Sequence, residues 1–378
     1  MKLLKLVASH VMVGVPLPWG VRDTNGKLLL ACGYVLHDEA QIVSLLSRGV
    51  FVDADEFHAV EAARNAAPLT NMPKRPPNLF DHWGSASAKL QQLLKAIEHE
   101  PAFNEHMHGL AGEVVALVDH DPDISIFLAV RQDPSRLPMY GYNHAMHCAV
   151  IGMLTARRLD WPAEQVLTLV KAAMSMNVSI AEMQGKLAAQ DGPVTRLQLA
   201  AIRSHTVDAV RLLQQAGVTD TQWLEAVAQH HERPDGSGYP AGLKAQSSLA
   251  LALRHADVLM AKISPRTLRA ALPIQEAMRQ LFREDGGGAM STAIIKEFGI
   301  YPPGDYVQLK SGERAVVVRR TEVASKPIVA AITDNHGRPV TSSTRRDTAQ
   351  PEFAIAGTVA DKSPVLRLPP ERLYGLPV

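Results

Sequence analysis

Apolar positions recur at helical spacing through the middle of the chain. Leu90, Leu93, Leu94 and Ile97 fall on one face of a helix, with Ser87 as its expected N-cap. Leu110, Val114, Leu117 and Val118 form the next stripe, and the same patterning runs over 144–158, 163–176, 196–216, 221–231, 249–263 and 273–282. This predicts a mostly α domain over 85–300, of ordinary domain size. The two ends read differently. Near the N-terminus, the run from Val11 to Leu17 is β-rich. Asn25-Gly26 then marks a hairpin turn before Lys27 to Cys32, and Asp38 to Arg48 places Ile42, Leu45 and Leu46 on one helical face. Near the C-terminus, Tyr306–Leu309, a Ser311-Gly312 turn and Arg314–Val318 read as a hairpin, with a further strand from Pro327 to Ile332 and a turn at Asn335-His336-Gly337. Residues 61–84, with Pro68, Pro73, Pro76 and Pro77, read as a Pro-rich linker. The expected fold class is a mainly α helical bundle with small β-containing modules over 1–60 and 301–378.

Composition narrows the function classes. The chain has 378 residues, too many for one ordinary core, which points to two or three domains. It is 46% hydrophobic and 20% charged, with a formal net charge of +1. That balance carries no whole-chain field toward nucleic acid, so no nucleic-acid partner is expected. No run of about 18 apolar residues occurs, so no membrane-spanning helix is expected. The first twenty residues hold a short apolar stretch broken by Ser9 and His10, without a small-residue cleavage site, and read as a strand rather than a signal peptide. Two cysteines, Cys32 and Cys148, lie far apart and imply no disulfide framework. A reducing cytoplasm is the simplest setting.

The stretch richest in chemistry is His230-His231-Glu232-Arg233-Pro234-Asp235-Gly236-Ser237-Gly238-Tyr239-Pro240. Adjacent residues on a helix point about 100° apart, so both histidines reach one ion only where the helix ends and the chain bends. Asp235 and the glycines permit positive φ and close backbone approach. A capped helix end with two surface histidines is the bland alternative. His106 and His108, two apart, share no helix face and read as surface residues. Cys148 reads as a small buried apolar residue rather than a nucleophile, and Arg345-Arg346-Asp347 as a solvated loop.

The eleven-residue string resembles the GYP signature of HD-GYP proteins, and the resemblance extends in order to Tyr142-Asn143-His144-Ala145, Ile202-Arg203-Ser204-His205, Arg254-His255-Ala256-Asp257 and Ile300-Tyr301-Pro302-Pro303-Gly304. Residues 1–60 are also similar to a small domain that precedes some members, in Val15-Pro16-Leu17-Pro18-Trp19 and Gly26–Leu30. The resemblance implies an HD-domain-like helical bundle. In that family two or three metal ions, usually iron or manganese, activate water for attack on the phosphodiester of cyclic di-GMP. The metal-ligand roles carry over to His144, His205, His230, His231 and Asp257. The GYP loop, here Asp235, Gly236, Gly238, Tyr239 and Pro240, can contact partner proteins, including GGDEF domains.

The departures fall on the other half of the signature. Met176 stands where the family has the HD histidine, Asn177 where it has the aspartate, and Ile180 where it has the catalytic lysine. Met260 replaces a second aspartate, and Tyr140 falls where three-metal members carry a carboxylate. Two dications about 3.5–4 Å apart need anionic bridging ligands. A neutral amide supplies no charge, and a thioether is a poor ligand for hard ions. Asp257 is left as the single anionic ligand among the matched positions.

Two functions are consistent with this pattern. One is a catalytically impaired HD-GYP protein acting as a binding or scaffold module in cyclic di-GMP signalling through its GYP loop, with cyclic di-GMP and GGDEF-type proteins as partners. The other is a working phosphodiesterase with a reduced metal site. The resemblance puts His205, His230 and His231 in one of the family's two metal sites, so the cofactor expectation is one iron, manganese or zinc ion there, the alternative being a metal-free cluster in which His144 pairs with Asp257. Helical signalling domains often dimerise, which adds a homodimer to the expected partners.

Overall fold

The computed structural model describes residues 3–7, 10–12, 14–36, 39–66, 77–132, 134–359 and 368–376. Two compact units make up the chain: Met1–Phe80 with Tyr306–Thr321 and Lys326–Val378, and Asp81–Asp305 with Glu322–Ser325. The two ends of the chain, which the sequence pattern suggests are separate modules, thus belong to one unit.

The N-terminal part comprises β1 (Leu3–Lys5), β2 (Val21–Arg22), β3 (Leu28–Leu30), α1 (Glu39–Ser47), β4 (Phe51–Asp53) and α2 (Ala54–Ala66). The strands form an antiparallel sheet in the order β1-β4-β2-β3. The Asn25-Gly26 hairpin forms as expected. Asp23 Oδ1 accepts the backbone N–H of Asn25 and Lys27, which closes the turn. The strand expected from Val11 to Leu17 does not form. Pro16 and Pro18 cannot donate to a ladder, and among the described residues the stretch makes only an isolated bridge between Pro16 and Val35. Val11 and Leu17 are nonetheless buried with Trp19, Val21 and Val52, and α1 lays Ile42, Leu45 and Leu46 on that core. Helix also enters the stretch expected to be linker: α2 runs to Ala66, and residues 67–76 lie outside the described residues.

The helical unit contains α3 (Leu79–Lys95), α4 (Phe103–His120), α5 (Pro122–Val130), α6 (Tyr140–Arg158), α7 (Ala163–Ser175), α8 (Ala181–Ala189), α9 (Arg196–Gln215), α10 (Thr221–Gln229), α11 (Ser248–Ile263), α12 (Ile274–Glu284) and α13 (Ala289–Phe298). Ser87 lies inside α3 rather than capping it. The helix starts earlier, where Asn78 Oδ1 accepts the N–H of Phe80. Helices α5 and α8 escape the periodicity reading for opposite reasons. Six of the nine α5 residues are buried, so it lacks a polar stripe, whereas α8 is short and small-residue-rich. Helix α6 is buried on most of its surface and packs against α7, α8 and α11.

Caps and polar ties hold these helices in register. Thr195 and Gln198 form a capping box on α9. Asp220 caps α10 through the Trp223 N–H, and its other oxygen accepts from Lys171 Nζ at 3.0 Å, fastening α10 to α7. The buried Trp223 indole N–H donates to Ser175 at 2.8 Å, at the last residue of α7. Gly304, at φ +90°, lets the Pro302-Pro303 turn press on α5, where a Cβ would come within 2.9 Å of the Phe127 carbonyl oxygen.

The C-terminal part comprises β5 (Tyr306–Leu309), β6 (Arg314–Arg319), β7 (Ile328–Thr333), β8 (Pro339–Asp347), β9 (Ile355–Thr358) and the short α14 (Pro370–Tyr374). Its antiparallel sheet has the order β8-β7-β6-β5-β9. The expected solvated loop at Arg345-Arg346-Asp347 is instead the end of β8. Arg346 holds the buried Glu313 in a two-pronged ion pair, its closest contact 2.8 Å.

Candidate functional site

Two clusters of potential ligand atoms sit among the central helices. His205, from the middle of α9, meets His230 and His231, where α10 ends. His205 Nδ1 lies 2.6 Å from the Ile202 carbonyl, and His230 Nδ1 lies 2.8 Å from that of Val227. A carbonyl only accepts, so each Nδ1 carries the proton and each neutral ring turns a bare Nε2 inward. Those two Nε2 atoms are 3.3 Å apart. Two lone pairs facing each other at that distance repel, and a cation between them relieves both. Two imidazole nitrogens on one tetrahedral zinc, at about 2.05 Å each, are themselves about 3.3 Å apart. The residues present therefore fit one transition-metal ion, with the carbonyls fixing ring orientation.

The second cluster is His144, Cys148 and Asp257. His144 Nε2 and Asp257 Oδ1 are 2.7 Å apart, tying α6 to α11, and Cys148 Sγ is 3.5 Å from the same nitrogen. Tyr140 stacks on the His144 ring at 5.5 Å, and its hydroxyl accepts from Arg266. His144 Nδ1 is buried and finds no partner among the described residues. The five expected ligands thus fall into two groups, three histidines in one and His144 with Asp257 in the other. Cys148 joins the second, a member that the sequence reading treats as apolar filling. Its i, i+4 spacing from His144 is the signal that would have found it.

Burial governs the electrostatics. It pushes His230 well below the usual imidazole range, with His231 and His205 adding to the effect. It likewise lowers His205. It takes His231 down to about 4 against partial opposition from Asp257. Burial alone would raise Asp257, but the His144 hydrogen bond and the surrounding imidazoles outweigh it and hold the carboxyl below its ordinary range. The folded His231 thus has a pKa below its unfolded value of 6.5, so the fold disfavours the proton. The metal-free protein should be at full stability from this source above pH 6.5 and lose it as the pH falls toward about 4. A His231→Gln variant should show a shallower decline of its denaturation midpoint across that window. Parallel declines would refute the assignment.

The loop after α10 is anchored from below. Glu232 is completely buried, and its carboxylate accepts the backbone N–H of Ala241 at 2.7 Å and of Leu243 at 2.9 Å. Gly238 passes so close to Glu232 and Arg233 that a Cβ there would meet their backbone atoms. Tyr239 turns inward and stacks on His231 at 4.6 Å, covering the histidine cluster. Asp235 accepts from both the N–H and the hydroxyl of Ser237, closing the turn, with Gly236 at φ +76°. Arg233, Pro234, Asp235, Ser237 and Pro240 are the exposed part of the loop. Glu232 is the anchoring residue to which the sequence reading gives no role.

The three positions at which the resemblance implies loss of the HD residues and the lysine lie close together in the chain after α7. Met176 is fully buried immediately after α7, Ile180 is buried before α8, and Asn177 is buried with its Nδ2 lacking a partner among the described residues. This turn lies beside α9, because Ser179 donates to the His205 carbonyl at 2.9 Å. It also lies beside the start of α6, because Gly141 packs directly on the Ala181 backbone. His106 and His108 are exposed, as expected. Among the described residues no helix is long and apolar enough to cross a membrane.

Residues 137–287 match the family model described as the HD domain. This part of the chain is an HD domain related to cyclic di-GMP phosphodiesterases. A cyclic di-GMP phosphodiesterase of Pseudomonas aeruginosa is 28% identical over 220 residues, which is 57% of this chain and 52% of the relative. A 3'3'-cGAMP-specific phosphodiesterase of Vibrio cholerae is 27% identical over 175 residues, 45% of this chain and 38% of the relative. A cyclic di-GMP phosphodiesterase of Thermotoga maritima is 33% identical over 112 residues, 28% of this chain and 30% of the relative. The chain spans about half, or less, of the length of these relatives. A solved structure of an HDG"Y"P protein from Bdellovibrio bacteriovorus aligns with 78% of this chain and 99% of its own, at 15% identity and a TM-score of 0.49.

Proposed function

We propose that this chain is a hydrolysis-impaired HD-GYP-type protein that binds cyclic di-GMP, or scaffolds its signalling, without consuming it. One observation carries the reading. The turn after α7, tied to the His205 backbone through Ser179, holds a buried thioether and a buried neutral amide, Met176 and Asn177, at the positions the resemblance gives to the HD dyad. Neither supplies the anionic bridge that a closely spaced pair of dications requires. Ile180 supplies no cation for the charge that develops on the phosphoryl group.

One iron, manganese or zinc ion on His205, His230 and His231 would contribute Lewis acidity to a bound phosphate. The residues of the chain orient it, and Tyr239 shields it. The exposed tip of the loop, Arg233 to Ser237, is the surface offered to a GGDEF-type partner in the cytoplasm. Its anchoring by the buried Glu232 gives that surface a fixed shape independent of catalysis.

A reduced-site phosphodiesterase is the second reading. What favours it is the inward pair of Nε2 atoms at metal-ligand separation. Equilibrium dialysis of metal-loaded protein against cyclic di-GMP separates the two. The proposal expects retained nucleotide recovered intact, and recovery as a linear dinucleotide or as GMP would overturn it.

A further inference from the structure

We propose that His144, Cys148 and Asp257 form a thiolate-containing metal site that takes zinc in preference to manganese. The resemblance assigns Cys148 no role, and the placement of three side chains supplies one. His144 and Cys148 are one turn apart on α6, so they project from the same face. Asp257 reaches them from α11. The donor atoms of all three lie within 4.8 Å of one another. Cys148 Sγ and His144 Nε2 stand 3.5 Å apart. A nitrogen at about 2.05 Å and a sulfur at about 2.3 Å on one tetrahedral zinc are separated by about 3.5 Å. The 2.7 Å hydrogen bond between His144 and Asp257 is the contact that shared ligation replaces.

Charge gives the second argument. A dication in this buried place needs compensation, and the neutral residues at 176 and 177 provide none. Asp257 contributes one negative charge and a Cys148 thiolate a second, which makes the site neutral overall with His144. The sulfur also decides which ion enters, since thiolates favour zinc, cobalt and cadmium over the harder manganese. Binding then forms one metal–sulfur bond and releases one thiol proton to solvent. The thiolate ion does not replace the missing bridge to the three-histidine cluster, so the inference stands apart from whether cyclic di-GMP is hydrolysed.

Cobalt(II) titration of the full chain tests this. A thiolate on cobalt adds a near-ultraviolet charge-transfer band, which three histidines alone do not give. The band should appear in the wild type, persist in Cys32→Ser and in His205→Ala, and vanish in Cys148→Val. Zinc content at saturation should fall by one ion per chain in Cys148→Val. Cadmium-113 NMR of the unaltered protein gives a second readout that needs no variant: one resonance in the sulfur-ligated range. Absence of the band and of that resonance in metal-saturated wild type, or a band that survives Cys148→Val, would overturn the site. Nucleotide turnover enters neither readout, so this test and the preceding one fail separately.

Discussion

The triple variant Met176→His/Asn177→Asp/Ile180→Lys should hydrolyse cyclic di-GMP at least about 10²-fold faster than the wild type, with manganese content rising toward two bridged ions per chain. Under the proposed function, each change restores one group that the resemblance implies is absent. Asp at 177 supplies the anionic oxygen that two dications share, in the volume of the present amide. His at 176 supplies a nitrogen ligand in place of a thioether of similar bulk. Lys at 180 supplies a cation for the phosphoryl oxygens. The scaffold to receive them exists, because Trp223, Ser175 and Lys171 fix the end of α7 against α10, and Ser179 ties the same turn to His205. Ile180 precedes α8, where a lysine opposes the helix dipole. The double variant without it should therefore gain manganese even if the triple variant is unstable. A folded double variant that binds no additional manganese would place the HD turn elsewhere in the chain.

Glu232→Ala should be among the most destabilising single substitutions in the helical unit, by about 3 kcal/mol. Its carboxylate accepts two backbone N–H groups in a fully buried setting. Hydrogen bonds to a charged group contribute about 1.5–3 kcal/mol each, and truncation leaves two donors unsatisfied. For a unit of this size the expected fall in Tm is about 6–12 °C. Glu232→Gln keeps one acceptor and should lose about half as much. The loop should also loosen over the histidine cluster, with Tyr239 no longer held on His231, so metal affinity falls with stability. A change of Tm within about 2 °C would show that the loop holds its shape without this anchor.

These expectations also mark what was legible in the sequence. The adjacent His230 and His231 signalled a helix end, because no straight helix aims two neighbours at one point, and α10 does end there. The spacing of Ile42, Leu45 and Leu46 gave the buried face of α1 correctly. Helix α5 was not legible, since a segment buried on most sides carries no periodicity. The grouping of His205 with His230 and His231, and of His144 with Asp257, was legible from the resemblance, whereas the 3.3 Å Nε2 separation of His205 and His230 was not, because it depends on how α9 crosses α10. Cys148 was overlooked because a cysteine among Ala149, Val150 and Ile151 reads as filling, and Asp257 is 109 positions further along the chain. The strand expected over 11–17 failed for a local reason, the two prolines, that the sequence itself contained.

Impaired hydrolysis is tested most directly by a multiple-turnover assay of cyclic di-GMP on wild-type protein purified anaerobically, with metal counted in the same preparation. A hydrolysis-impaired protein should show bound ion, bound nucleotide and no product above background. Steady release of linear dinucleotide or GMP, in proportion to metal content and abolished by His205→Ala, would contradict it and make this chain an active phosphodiesterase with substitute ligands.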